Sequence, residues 1–214
     1  MRVKALLIGD IRFQFKYGFY FIYLIFSVIY ISLLYALPVD WRERAAILMI
    51  FTDPAAMGLY FMGAIFLFEK SERVLSSIAV SPVKPIEYVV SKLVSIALIS
   101  STVGLLIGFC SGVISNAFLF VVGIFFGSCL FSSAGLMVAA NIISLNQFVV
   151  ASIPAELIIN LPAIAWLLGW KPSWIILHPG VCIIELCQNG DSALLAAVIL
   201  VFWTIISVIV ACHI

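Results

Sequence analysis

The chain has 214 residues, 65% of them apolar and only 10% Asp, Glu, Lys or Arg, too little polar material to cover a water-facing surface. With a mean hydropathy of +1.27, it uses lipid as its main solvent, which excludes disordered, collagen-like and disulfide-scaffold classes and leaves no room for a folded extramembrane catalytic domain. The net charge of +1 does not point to nucleic acid, because in a membrane chain the placement of charge is what informs.

Residues 1–17 place Val3, Leu7, Ile11 and Phe15 at spacings of four among Arg2, Lys4, Arg12 and Lys16. That pattern predicts a helix lying in the membrane interface, either a simple anchor or an elbow that also meets a cytoplasmic partner. Uncharged runs follow at 18–37, 45–68, 93–114, 118–140, 148–168 and 193–212, interrupted only by Asp53 and Glu156. Each has the length of a membrane span. The first run lacks a small-residue cleavage site and is read as a retained helix. Asp53 before Pro54 reads as the cap and first turn of the true second span, after an interfacial turn over 41–52; a pathway residue is the other reading. The stretch 174–184 is too short to cross, carries Pro179 and Gly180 in its middle, and reads as a re-entrant or broken interfacial element within 172–188.

The expected fold is therefore an all-α integral membrane protein of one domain. It has six transmembrane helices, an interfacial leader, a cytoplasmic segment over 69–92 and a short re-entrant element before the last span. Eight Lys and Arg residues (2, 4, 12, 16, 70, 73, 84 and 92) fall on one side and three (42, 44 and 171) on the other. This bias places both termini in the cytoplasm of a plasma-membrane protein.

In the cytoplasmic segment, Ser71 can cap a short helix with Glu72 in its first turn, and Val74 with Ile78 and Leu75 with Ala79 form an apolar stripe. Pro82 stops that helix at Ser81, and Pro85 opens the next. Such an element is either a docking surface or a helix resting on headgroups. Its residues Glu69, Lys70, Glu72, Leu75, Ile78, Ser81, Pro82, Glu87, Tyr88 and Lys92 match by position a pattern of type-2 ATP-binding-cassette (ABC) exporter permeases. The chain is most similar to the small fluoroquinolone-export group; Arg73 and Val74 stand where that pattern has Gly-Thr. The resemblance implies that the segment is a coupling helix docking on a separate nucleotide-binding ATPase subunit through Glu72, Arg73, Val74, Leu75, Ile78, Ser81 and Pro82. It also implies a second permease subunit, identical or paralogous. No Gly-x-x-x-x-Gly-Lys-Ser/Thr loop is present, so ATP and magnesium are expected on the partner and the chain itself is not expected to be an enzyme. No cofactor, metal or catalytic residue is assigned to it.

Glu156, flanked by Pro154 and Pro162 with Asn160 one turn on, lies inside the fifth run. It marks a pathway or subunit interface, or it makes a packing hydrogen bond to a neighbouring helix. Glu185, near His178 and Lys171, reads as half of a local ion pair at the outer rim. Gly104, Gly108 and Gly112, and Gly123 with Gly127, form small-x-x-x-small frames suited to helix packing within one subunit. His178 and Cys182 are the sole metal-type spacing, a weak signal with two ligands. The functional expectation is the membrane subunit of an ABC exporter for a hydrophobic or amphipathic small molecule. A haem-exporter-like permease is the related alternative, and an intramembrane enzyme or a channel the remote ones.

Overall fold

The computed structural model describes residues 2–52 and 56–213, the side chains of Ala56 and Ala79 excepted. Every regular element in it is helical. Helix α1 (Arg2–Lys16) turns through Gly18, at φ 77°, into α2 (Phe19–Ala36); glycine occupies that left-handed corner without a Cβ penalty. There follow α3 (Val39–Ile50), α4 (Ala56–Ser71), the short α5 (Val74–Ala79), α6 (Pro85–Ser111), α7 (Ala117–Ala140) and α8 (Leu145–Leu167). A 3-10 turn (Ser173–Leu177), α9 (Pro179–Gln188) and α10 (Ala193–His213) complete the order. Among the described residues, five helices are long and apolar enough to cross a membrane: α2, α6, α7, α8 and α10.

One expectation about the second run is corrected. Helix is described over Val39–Ile50, continues through Phe51 and Thr52 as a π-helical stretch, and is described again from Ala56 in α4. The segment 41–52 is largely helical rather than a turn: Ala46, Ile47 and Ile50 are buried, and that apolar face needs a neighbour. Asp53 and its cap lie outside the described residues.

Helix α7 is the hub, packed against α4, α6, α8, α9 and α10. Small residues let the backbones approach. Gly135 of α7 lies against the Leu59 carbonyl of α4, and a Cβ on Gly58 would meet Ser132 Oγ at 2.7 Å. Of the glycine frames, Gly104 and Gly108 face Ile124 and Phe120 of α7, while Gly123 and Gly127 receive Leu186 and Ile183 of α9. Gly112 instead caps α6 at φ 71°. These are contacts within one subunit, as expected.

In α8, Pro162 withholds the N–H that Ile158 O would accept. The His178 imidazole lies near that carbonyl, and its Nδ1 accepts from Gly180 N–H at 3.2 Å, capping α9. Burial pushes the imidazole below its ordinary pKa. The chain breaks at His178 between the 3-10 turn and α9. Glu185 corrects another expectation. It is buried, and its Oε1 accepts from Ser192 N–H at 3.2 Å; the ion pairs among the described residues belong to Lys92 alone. The carboxylate sits over the turn into α10, where a free N–H costs less to satisfy than a distant Lys171.

Candidate functional site

The connection between α4 and α6 covers 72–84, with α6 starting at the proline where the sequence places a helix start. α4 runs on to Ser71, and α6 begins at Pro85, whose missing N–H costs nothing in a first turn. Lys84 N–H donates to Glu87 Oε2 at 2.9 Å, closing that start. Ser71 does not cap α5; its hydroxyl donates to Phe68 O as part of the end of α4. The chain enters α5 through Arg73, held in the left-handed region at φ 57°.

Glu69 and Lys92, the two ends of the motif, turn inward and meet. Lys92, 3% exposed, bonds Glu69 Oε1 at 2.6 Å and Asp10 Oδ1 of α1 at 2.8 Å. Tyr88 OH donates to Glu69 Oε2 at 2.6 Å, and Ser91 OH to Asp10 Oδ2 at 2.9 Å. Every carboxylate oxygen of the pair thus has a donor, the condition under which buried charges are tolerated. Gln14 Nε2 donates to Ser95 Oγ at 2.8 Å one turn further along α1.

The apolar stripe of α1 is only partly covered: Val3 and Phe15 are exposed, Leu7 and Ile11 half-buried, and the packed face carries Asp10 and Gln14. In a lipid-bathed chain the apolar side can be left outside, whereas polar groups must find each other. Asp10 and Gln14 escaped the sequence reading; a lone acid among four bases was the available signal.

Other motif residues also hold the segment in place. Lys70 Nζ donates to Ala140 O and Ile142 O at 3.1 and 3.0 Å, satisfying the C-terminal carbonyls of α7. Arg2 donates to Pro82 O at 2.7 Å, and Ser81 OH to Ile78 O at 2.6 Å. Val74 and Ile78 do not share one surface. Leu75 and Ile78 are half-buried against the apolar ends of α4 and α6, while Val74 and Val80 are 37% and 88% exposed. Glu72, Arg73, Ser76 and Ser77 are exposed with them. Beneath α5 lies a cavity of about 610 Å³ lined by Leu75, Ile78, Lys84, Tyr88, Ala211 and His213 among others.

The mid-membrane carboxylate has a partner that sequence could not name. Tyr60 OH of α4 donates to Glu156 Oε2. Asn160 lies one turn along the same face, its Oδ1 buried without a hydrogen bond. Because α8 starts at Leu145, Glu156 is the middle residue of that helix, deeper than the run 148–168 implied. His178 and Cys182 are not brought together as ligands: the thiol donates to Ile176 O at 3.1 Å, and Nδ1 is taken by Gly180.

Comparison with known proteins follows the same lines. The profile of the fluoroquinolones export permease protein family matches residues 1–212. The fluoroquinolones export permease proteins of Mycobacterium tuberculosis strains CDC 1551 and H37Rv are each 24% identical over 197 aligned residues, covering 78% of this chain and 83% of theirs.

Proposed function

Because the chain belongs to the fluoroquinolones export permease protein family, we propose that it is the membrane subunit of an ATP-driven exporter of drug-like amphipathic molecules, energised by a separate nucleotide-binding subunit. Its six crossings are α2, α3 with α4, α6, α7, α8 and α10, both termini are cytoplasmic, and 172–188 is re-entrant from the outer side. Supporting the even count, Arg2 reaches Pro82 while Ala211 and His213 line the cavity under α5, so the two chain ends lie at the same end of the bundle.

One observation carries the docking role. α5 is a six-residue helix, too short to be stable by itself, yet its flanks are tied to α1, α6 and α7 by buried charges and capped carbonyls. Such anchoring turns a loop into a lever. A force on α5 passes through Glu69 and Lys92 into α4 and α6. The ATPase-facing surface is then Glu72, Arg73, Val74, Ser76 and Val80, with Leu75 and Ile78 seating the helix and Ser81 and Pro82 closing it.

Val80→Asp tests this reading. An apolar anchor at an interface centre typically contributes about 2 kcal/mol, or roughly 30-fold in affinity. The variant should fold and insert normally while co-purification of the ATPase and substrate-stimulated hydrolysis fall about that far. Ile78→Asp, which puts a charge into the seat, should instead lower the yield of folded permease. If Val80→Asp leaves association and transport unchanged, α5 is not the docking element.

A further inference from the structure

Helix α8 is thinly covered: Phe148, Ser152, Ala163 and Trp166 are its buried residues, and Val149, Ile153, Leu157 and Leu161 are exposed. Glu156 stands in the middle of that apolar flank, about 17 Å from the helix start at 1.5 Å per residue. It is half-buried. Among the described residues no cation pairs with it, since both ion pairs belong to Lys92. Tyr60 satisfies Oε2, and the Asn160 Oδ1 acceptor one turn away has no donor. The stripe therefore presents one unmet carboxylate oxygen, Glu156 Oε1, framed by aliphatic side chains, with the donor-less Asn160 Oδ1 buried behind it. A half-exposed carboxylate at mid-depth is a poor neighbour for acyl chains, so its complement is a donor-rich, positively charged group on an apolar body.

Resting on the export-permease reading, we propose that Glu156 is the recognition point for an organic cation, a protonated amine on an aromatic or aliphatic body. In this arrangement the ammonium donates to the free oxygen of the Glu156 carboxylate, and the apolar body lies on Ile153 and Leu157. Tyr60 is a positioning residue that holds one carboxylate oxygen and aims the other. The exposed flank of α8 seats the ligand beside the acyl chains, away from bulk water. Charge-assisted hydrogen bonds gain strength in such a water-poor setting, and an amine stripped of water needs that compensation.

The test uses the purified full-length chain in lipid nanodiscs and two fluorescent probes of nearly equal body, dansylcadaverine with a free primary amine and its N-acetyl derivative, which carries no charge. The wild type should bind the amine at least about tenfold more tightly than the acetylated probe. Glu156→Gln keeps an acceptor for Tyr60 but removes the charge. It should erase the difference and leave the acetylated probe's affinity unchanged, and Tyr60→Phe should reduce the preference in part. Equal binding of the two probes by the wild type overturns the proposal. So does a Glu156→Gln variant that weakens both equally, which would assign the residue to packing. Failure here is separable from failure of the exporter reading, because nucleotide-dependent transport of the acetylated probe in native membranes reports on export without reference to charge.

Discussion

Arg73 enters α5 at φ 57°, a conformation that brings an L residue's Cβ against its own carbonyl at a cost of about 1–2 kcal/mol. The exporter pattern that this segment resembles has glycine there, which adopts the same corner freely. Arg73→Gly should therefore raise the permease's thermal stability in detergent, by an amount equivalent to about 1 kcal/mol or somewhat less. Its effect on coupling separates two roles. If the guanidinium contacts the ATPase, substrate-stimulated hydrolysis falls although the fold is firmer; if not, hydrolysis is unchanged. The departure from Gly-Thr was visible in the sequence, but the backbone angle that gives it meaning was not. The same holds for Glu156, whose polarity was plain while Tyr60, 96 residues away, offers no local signal at all.

At the scale of elements, the buried cluster of Asp10, Glu69, Tyr88 and Lys92 joins α1, α4 and α6 at the point where α5 is suspended. Removing only the ammonium leaves two carboxylates facing each other without water, and breaking a buried pair in this way costs about 3–5 kcal/mol. Lys92→Met should sharply reduce folded, monodisperse protein after detergent extraction. Combining it with Asp10→Asn and Glu69→Gln removes the uncompensated charge, and the triple variant should recover most of that loss. A triple variant as poor as the single one would show that Lys92 matters for shape rather than for charge. Sequence patterning located α2, α6, α7, α8 and α10 because long apolar runs survive any packing arrangement. It named no inner face for α1, for a physical reason: in lipid, apolar stripes mark outer and inner faces alike, and only pairing tells them apart. Lys92, on the helix that Pro85 opens, was counted only as a cytoplasmic charge for a similar reason, since a lone lysine before an apolar run marks a membrane boundary unless its carboxylates are known.

Over the whole molecule, the decisive question is how many times the chain crosses. Five helices are long enough alone, which would put the termini on opposite faces. Contacts favour the even number. Asp10 of α1 binds Lys92 near the start of α6, and the last residues of α10 line the cavity beneath α5. At the far end, Tyr35 OH at the close of α2 donates to Cys110 O at the close of α6, at 3.3 Å. The chain must therefore return from the end of α2 to α5 through α3 and α4, neither long enough by itself and both packed on the bundle. The proposed orientation, with the α5 end cytoplasmic, follows from the bias of eight basic residues against three. A cysteine replacing Ser76 in α5, in a background lacking the exposed Cys110 thiol, should react with a membrane-impermeant maleimide only in inside-out vesicles. One replacing Glu43, an exposed residue of α3, should react only in intact cells. Labelling of both from one side would mean that α3 and α4 fold back without crossing, reducing the count to five. Labelling with the two sides exchanged would keep six crossings and invert the molecule, leaving α5 out of reach of any cytoplasmic ATPase.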